Sequence, residues 1–431
     1  MEIEAAVGVE APPLGARAAA RCDALGIAPY SEAEGQLTRR YLTPAHAAAL
    51  DALRGWMTIA GMEVRLDAAA NLIGRYEGQD AGAPALIIGS HIDSVRDAGR
   101  YDGPLGIMLG IDLVEALSRE GRRLAFPIEM VAFGDEEGSR FPASMTCSRA
   151  LAGVVDPAVL AMRDGEGVSL GEALAAFGAA GSLAEAAKRS GEAMAFFEVH
   201  IEQGPVLEAE GLALGAVSAI AAQKRLAARF TGTAGHAGTT PMALRKDPGP
   251  AAAEAILAVE RICRAGDHGL VGTVGRLAAR PGATNVIPGA VEFSLDVRAE
   301  TSAVRDAAVA EITAEFEVIA ARRGLTLTLE LVQALAESPC HPALIGLLEQ
   351  ALGDLDVPPR RLPSGAGHDA MVMASLCPTA MLFIRCAGGI SHNPAEAVAP
   401  DDCVLALAAM HAFALRLDAA CRADPGLEFL K

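Results

Sequence analysis

The stretch ALIIGSHIDSVRDAGRYDGPLGIMLGIDLVEALSR, residues 85–119, decides the fold. It begins with a short apolar run that ends at Ser90, which is typical of a buried strand. Pro104 then suits the first turn of a helix, and apolar residues recur at helical spacing as far as Leu117. A strand followed by a helix predicts one β–α unit of a largely parallel sheet, with polar residues in the connection.

Further strands on either side of this unit predict the rest of a larger domain. PIEMVAF (127–133) and AMLFIRC (380–386) are apolar runs of strand length. Alternating strands and helices predict an α/β domain with a mixed, mostly parallel sheet and helices on both faces. The alanine-rich stretches 5–20 and 172–195 are interpreted as helix formers.

Residues 215–332 have a different character. Their order predicts a small α+β, ferredoxin-like domain inserted into the larger one, which is then built from residues 1–214 and 333–431. The elements that indicate it are a helix at 251–265, a strand at 291–298, a helix at 303–323 and a strand at 325–331.

Composition and charge limit the class of protein. The chain has 431 residues, of which 52% are hydrophobic and 21% charged, and this predicts a globular protein of two or three domains. The formal net charge of −18 argues against a nucleic acid or an anionic membrane as partner, because either would repel it. No uninterrupted apolar stretch approaches about 18 residues, so no transmembrane helix is expected.

The cysteines and the N-terminus indicate a compartment. Eight cysteines without a CxxC pair are typical of reduced, mostly buried thiols rather than of a disulfide framework. The N-terminus has two early glutamates and no basic residue before an apolar run, so a secretory signal is not expected. We therefore expect a cytoplasmic protein.

Polar clusters follow the predicted strands, and open α/β sheets place their ligand crevice at that edge. The clusters are GSHIDSV (89–95), YDGPLG (101–106), FGDEEGSRF (133–141), EVHIEQGP (198–205) and GGISHNPAE (388–396).

The acids of the third cluster favour a metal. Asp135, Glu136 and Glu137 repel one another, and a divalent cation would offset that repulsion. Imidazole and carboxylate ligands suit zinc, and equally manganese, nickel or cobalt, and shared carboxylates suit two ions about 3.5–4 Å apart. Singly, each signal has an ordinary explanation, since a lone histidine is more often a hydrogen-bonded core residue and Asp-Gly is usually a turn. That ordinary interpretation applies to His46, His268, His341 and His411.

The motifs resemble those of the M20-type dinuclear metallohydrolases. Within these, the chain is similar to allantoate amidohydrolases, N-carbamoyl-L-amino-acid hydrolases and β-ureidopropionases, from about Thr38 to Pro400. Asp135 departs from the pattern, because many relatives carry glutamate there. The other motifs that carry the resemblance are GTAGHAGTTPM (232–242), ATNVIPGAVEFSLDVR (283–298) and SGAGHDA (364–370).

The resemblance implies two divalent ions per subunit, zinc or manganese, with cobalt or nickel as alternatives. Asp102 would bridge them. His91 and His200 would complete one site, and Glu137 and His392 the other. Asp93 would hold His91 in the required tautomer.

The resemblance also implies catalytic and substrate-binding residues. Glu136 would be the general base for the attacking water. His236 and Asn285 would polarise the substrate carbonyl and stabilise its tetrahedral intermediate, and Arg298 would bind a substrate carboxylate. The remaining pocket residues would be Gln203, Gly367 and His368.

The leading functional hypothesis is an allantoate amidohydrolase that releases ammonia and CO₂ from a small ureido carboxylate. The alternative is an N-carbamoyl-L-amino-acid hydrolase or β-ureidopropionase with the same residues. A dipeptidase on the same fold, and a scaffold whose metal only supports dimerisation, are rival classes. The resemblance further implies a homodimer formed through the inserted domain, which would also act as a lid.

Overall fold

The computed structural model describes residues 12–430, apart from 81, 180, 190, 267, 268 and 427. His268 and residues 5–11 of the first alanine-rich stretch therefore lie outside the described residues. The chain divides into two compact units. The first contains the residues up to Val217, Cys340–Arg361 and the residues from His368 onward, and the second contains Ser218–Pro339 and Leu362–Gly367.

Strands and helices alternate along the chain. The strands are β1 (Glu63–Leu66), β2 (Leu72–Tyr76), β3 (Ala85–His91), β4 (Ile128–Phe133), β5 (Ala193–Ile201), β6 (Leu214–Ile220), β7 (Ala222–Thr231), β8 (Gly235–His236), β9 (Val271–Thr273), β10 (Leu277–Arg280), β11 (Val286–Ile287), β12 (Ala290–Ala299), β13 (Thr326–Leu335), β14 (Ser338–Pro339), β15 (Arg361–Ser364) and β16 (Thr379–Ile384). The helices are α1 (Ala16–Leu25), α2 (Pro44–Ile59), α3 (Pro104–Arg119), α4 (Thr146–Leu151), α5 (Leu170–Phe177), α6 (Val206–Glu210), α7 (Pro248–Ala265), α8 (Ser302–Arg323), α9 (Pro342–Gly353), α10 (Asp369–Met373) and α11 (Pro400–Ala423).

The sheet of the first unit is mixed, as predicted. Its strands run in the order β1-β2-β4-β3-β5-β16-β6. The four central strands β4, β3, β5 and β16 pair in parallel, whereas β2 and β6 pair with them antiparallel. β1 and β2 also pair antiparallel, because the short connection between them can join only antiparallel neighbours.

Helices cover both faces of this sheet. Phe197 of β5 packs on Phe413 of α11, with 4.5 Å between the ring centroids. The next residue, Glu198, accepts the backbone N–H of Ala370 at the start of α10. Successive strand residues point to opposite faces, so α11 and α10 lie on opposite sides.

Helix α11 is long and apolar enough, by length and composition, to span a membrane. Sequence analysis did not anticipate this, because an average over 18 residues tolerates charges that interrupt an apolar run. In the structure the helix contacts α1, α3, α9 and β16. Its buried residues include Phe413 and Leu417, as expected of a core helix in this unit.

The second alanine-rich stretch, 172–195, was interpreted as helix-forming, but it forms an α-helix only as far as Phe177. Helix α5 ends at Phe177, where Gly178 adopts a left-handed conformation with φ of 86°. Strand β5 already begins at Ala193 and is buried throughout. Burial of this strand between two neighbours outweighs the modest helix propensity of alanine. The eight cysteines are unpaired and buried, which confirms that prediction.

The second unit has the predicted ferredoxin-like pattern of strand, helix, strands, helix and strand, with β9, β10 and β12 of its main sheet between the two helices. Its antiparallel sheet runs β10-β12-β7-β13, with β9 also paired to β12. Alternate residues of β7 and β12 pack against α7 and α8, in a core that includes Phe230, Phe293 and Phe316. Both helices begin earlier than predicted, because the side chains of Asp247 and Thr301 cap them.

The limits of this unit differ from the predicted 215–332. It extends to Pro339 and includes Leu362–Gly367. That segment belongs to the unit because the Ala221 N–H donates to Ser364 O over 2.9 Å. The placement therefore reflects hydrogen bonds between residues that are far apart in sequence.

Candidate metal centre

Four parallel strands bring the predicted metal ligands to one edge of the first unit. Their carboxyl ends meet there because β4, β3, β5 and β16 are neighbours. The side chains come from the end of β3 (His91), the residue before the N-cap of α3 (Asp102), the segment after β4 (Glu136 and Glu137), the end of β5 (His200) and the segment after β16 (His392).

Glycine permits the close approach of α3 to β3. Gly103 caps α3 with φ of 84°, and a Cβ there would lie 2.5 Å from the ring of His91. Any larger residue would be strained and would displace the imidazole. The Asp-Gly-Pro sequence therefore places Asp102 beside His91 and starts the helix directly afterwards.

Asp102 lies at the centre of the cluster. Its Oδ1 is 3.1 Å from Nε2 of His200 and 3.5 Å from Nε2 of His91. Its Oδ2 is 3.2 Å from Nε2 of His392, which in turn is 3.5 Å from Oε1 of Glu137. The two carboxylate oxygens therefore face two different sets of side chains.

These residues form groups with the geometry of metal sites. Within each group, one ligand atom per residue lies within 4.8 Å of the others. The groups are His91–Asp102–His200, Asp102–Glu137–His392, His91–Glu136–Glu137 and Glu198–His200–His368. Nε2 of His200 is buried and has no hydrogen-bond partner among the described residues, although Oδ1 of Asp102 lies 3.1 Å away. An imidazole nitrogen held this way fits a divalent ion.

Backbone carbonyls fix the ring orientation of the two buried histidines. Nδ1 of His91 lies 3.1 Å from the carbonyl oxygen of Asp93, and Nδ1 of His200 lies 2.9 Å from that of Ile201. A proton on each Nδ1 leaves the lone pair of Nε2 directed at Asp102.

Asp93 lies beside His91 as predicted, but through a different atom. Its carboxylate is 3.6 Å from the ring nitrogen, farther than its own backbone carbonyl. The carboxylate instead accepts the backbone N–H groups of Glu136 and Glu137 over 3.1 and 3.2 Å. Asp93 therefore positions the two glutamates more directly than it positions the histidine.

Charge in the cluster is unbalanced without a cation. Burial raises the pKa of Glu137 to about 7, and the carboxylates of Asp102 and Asp93 add to this rise. Burial also raises the pKa values of Glu136 and Asp135 well above their ordinary range. Burial alone would do the same to Asp102, but contacts with three imidazoles hold its pKa well below the usual value. Buried acids that resist ionisation are those that a bound cation would stabilise.

Gln203 and His368 lie close to the metal-ligand candidates. Nε2 of Gln203 donates to Oδ2 of Asp102 over 2.9 Å, so Gln203 contacts the central carboxylate rather than only lining a pocket. His368 is buried, and its ring lies edge-on to that of His200 with 4.5 Å between centroids. Burial, with a further contribution from His200, lowers the pKa of His368 well below its ordinary value.

His236 and Asn285 lie together in the second unit. His236 of β8 pairs with Val286 of β11, and the Ala237 N–H donates to the Asn285 carbonyl over 3.0 Å. Nδ1 of His236 accepts the Gly238 N–H over 3.1 Å. Gly367 is exposed at the end of the segment that belongs to this unit.

The guanidinium of Arg298 already donates hydrogen bonds within the second unit. Its Nε and Nη2 donate to the two carboxylate oxygens of Asp296 over 3.1 and 3.0 Å, and Nη1 donates to the carbonyl of Gly365. Asp296 therefore occupies the edge of the guanidinium between Nε and Nη2.

Sequence reasoning missed Ser391 and Glu396, although both lie in the quoted GGISHNPAE motif. The Ser391 hydroxyl is 2.7 Å from Oδ2 of Asp102, and Glu396 accepts the backbone N–H of Asp102. Their only signal was proximity to His392 in the sequence.

Comparison with known proteins gives consistent matches. Residues 87–416 match peptidase family M20/M25/M40. An N-carbamoyl-L-amino acid amidohydrolase of Geobacillus stearothermophilus is 43% identical over 372 residues, which cover 86% of this chain and 91% of the relative. An allantoate deiminase of Arabidopsis thaliana is 38% identical over 416 residues, covering 89% and 79%. The crystal structure of a hydantoinase/carbamoylase family amidase from Burkholderia multivorans has a TM-score of 0.87 at 34% identity, covering 93% of this chain and 97% of that one.

Proposed function

The chain belongs to peptidase family M20/M25/M40, and we propose that it is a metal-dependent hydrolase that cleaves a ureido C–N bond in a small carboxylate-bearing substrate. The observation that carries the proposal is the position of Asp102, whose two oxygens lie within 3.5 Å of three imidazole nitrogens. This arrangement fits two divalent ions that share one carboxylate.

The residues of the cluster would have different roles in hydrolysis. His91, Asp102 and His200 would hold one ion, and Asp102, Glu137 and His392 the other. When bound, the ions would lower the pKa of water and polarise the substrate carbonyl. Glu136 would accept the proton of the attacking water and pass it to the leaving nitrogen, since it lies half-buried beside the cluster and its backbone is fixed by Asp93.

Hydrolysis of a ureido group needs both the metal ions and a general base. Its carbonyl carbon is stabilised by two nitrogens and is a poor electrophile, so hydrolysis requires a strong nucleophile and stabilisation of the developing oxyanion. The names of two relatives, an N-carbamoyl-L-amino acid amidohydrolase and an allantoate deiminase, both denote substrates that carry a ureido group and a carboxylate.

We propose allantoate as the preferred substrate, on the resemblance of GSHIDSVRDAGRYDGPLG to the allantoate branch. N-carbamoyl-L-amino acids are the second candidate, favoured by the 43% identity of the Geobacillus relative. Release of ammonia from metal-loaded protein should be measured with allantoate, N-carbamoyl-β-alanine and several N-carbamoyl-L-amino acids, and release of free amino acids should be measured with a dipeptide. Turnover of the dipeptide alone would overturn the proposal, and the Glu136→Gln variant controls for contaminating hydrolases.

His236 and Asn285 are proposed to donate hydrogen bonds to the oxyanion, in a cytoplasmic homodimer formed through the second unit. The support is the resemblance and the backbone hydrogen bond that ties Ala237 to Asn285. Mixing His236→Ala with Glu136→Gln chains tests whether His236 acts in its own or in the partner subunit. Recovered activity after proven subunit exchange indicates delivery to the partner subunit, whereas exchange without recovery indicates the own chain.

A further inference from the structure

The second oxygen of Asp102 carries more hydrogen bonds than the first. Oδ2 lies 2.7 Å from the Ser391 hydroxyl and accepts the Gln203 amide N–H over 2.9 Å, besides facing His392. Among the residues that the structure describes, Oδ1 faces the imidazoles of His91 and His200. The two oxygens of Asp102 therefore differ in how many hydrogen-bond donors compete for their lone pairs.

A carboxylate oxygen has about two lone-pair positions. With both Ser391 and Gln203 as donors, Oδ2 has none left for an ion. Binding of an ion through Oδ2 therefore requires one donor to turn away. The lone pairs of Oδ1 face no such competition.

Ser391 has a second acceptor to which it can turn. Its hydroxyl lies 3.1 Å from Oε2 of Glu396. Glu396 is buried, and its other oxygen accepts the backbone N–H groups of Tyr101 and Asp102 over 2.8 and 3.1 Å. A Cβ at Gly99 would lie within 2.5 Å of the Glu396 side chain, so the carboxylate has little room to move. The Ser391 hydroxyl can therefore donate its proton either to the carboxylate of Asp102 or to that of Glu396, but not to both at once.

The histidines of the two proposed ion positions also differ in solvent exposure. The side chain of His392 is 50% exposed, whereas those of His91 and His200 are 3% and 1% exposed. An ion at the His392 position would exchange with solvent more readily than an ion between the two buried histidines.

We propose that Ser391 and Glu396 are positioning residues that make the two ions unequal, so that the ion held by His91, Asp102 and His200 binds first and more tightly. The ion held by Asp102, Glu137 and His392 then binds as the Ser391 hydroxyl turns from Asp102 to Glu396. This inference rests on the two-ion centre of the proposed function.

Two variants of these residues should move the weaker ion in opposite directions. Ser391→Ala removes the competing donor and should tighten the second ion roughly tenfold, within the range for residues that contact metal ligands. Glu396→Gln keeps an acceptor for the two backbone N–H groups, but its amide would face Ser391 as a donor. The hydroxyl would then stay on Asp102, and the second ion should bind roughly tenfold more weakly.

The double variant tests whether Glu396→Gln affects the second ion through the Ser391 hydroxyl. In Ser391→Ala/Glu396→Gln no hydroxyl remains to be held on Asp102, so the Glu396→Gln effect should vanish. Gln203→Met, which removes the other donor to Oδ2, should also tighten the second ion and does not depend on folding of the Glu396 variant. A purely structural role would instead weaken both ions in every variant.

The experiment is a calorimetric titration of the chelator-treated, full-length chain with Mn²⁺, with bound manganese measured by mass spectrometry after dialysis. Two unequal dissociation constants and opposite shifts in the second one are expected. Equal constants in the wild type, or parallel shifts of both constants in the variants, would overturn the inference while ureido hydrolysis stands. If the chain binds neither manganese nor, in parallel titrations, zinc, cobalt or nickel, the proposed function is overturned as well.

Discussion

The carboxylate of Asp93 accepts the backbone N–H of Glu136 over 3.1 Å. Its other oxygen accepts the N–H of Glu137 over 3.2 Å. Through these two hydrogen bonds, one buried acid fixes the backbone of two others. The side chains of these neighbours are thereby held in different positions, and mutation can separate their roles.

Glu136→Gln should keep the metal and lower kcat by roughly 10²–10⁴, the usual contribution of a general base. Glutamine has a similar shape but cannot take a proton. Glu137→Gln is the matched control and should lose an ion, because an amide is a weaker ligand. Ammonia release and metal content are measured on both. Equal loss of metal in the two variants would contradict this division of roles.

Removal of metal should abolish activity. A chelator strips ions that no part of the chain replaces, leaving the acids of the cluster without the cation that stabilises their charge. Addition of Zn²⁺, Mn²⁺, Co²⁺ or Ni²⁺ should restore turnover to different degrees, since imidazole and carboxylate ligands accept all four. Full activity in protein shown to be metal-free would disprove the two-ion centre.

Arg298→Lys should raise KM for a carboxylate substrate by about tenfold, with a smaller change in kcat. Lysine keeps the charge but cannot hold Asp296 with two parallel hydrogen bonds while presenting its other edge. The matched control is the same substrate with its carboxylate converted to an amide, for which wild type and variant should differ little. A KM that is unchanged for the carboxylate substrate removes Arg298 from the site.

His46 should make the protein less stable at low pH. Burial, with smaller contributions from Arg39 and Arg140, lowers the pKa of His46 to about 3. The unfolded chain takes up the proton at about pH 6.5, whereas the folded chain resists it, so stability falls as pH drops below about 6.5 and continues to fall towards 3. At pH 5 the loss is roughly 2 kcal/mol, at 1.36 kcal/mol per pH unit.

His46→Asn tests this effect. The asparagine oxygen replaces Nδ1 as acceptor for the Leu42 N–H, which His46 now accepts over 3.1 Å, but it does not titrate. Denaturant unfolding of chelator-treated wild type and variant is compared from pH 7 to 4. The difference in unfolding free energy should change in favour of the variant as pH falls, and a constant difference would refute the assignment.

Local sequence predicted the elements whose signals are local. Helix α3 covers Pro104–Arg119 as the spacing predicted, since proline and glycine fix its start. The strands beside it were found from apolar runs, and their parallel order places the predicted ligands at one edge. The stretch 172–195 is helical only as far as Phe177, and its last residues belong to a strand whose neighbours lie elsewhere in the chain.

The sequence by itself determined the α/β architecture and the residue types of the metal centre, because period, caps and ligand chemistry are properties of short segments. Only the tertiary structure decided which atoms meet. Ser391 and Asp102 are 289 residues apart in sequence, yet their side chains form a 2.7 Å hydrogen bond. A hydrogen bond depends on distances of a few tenths of an ångström, and only the packing of distant strand ends sets them.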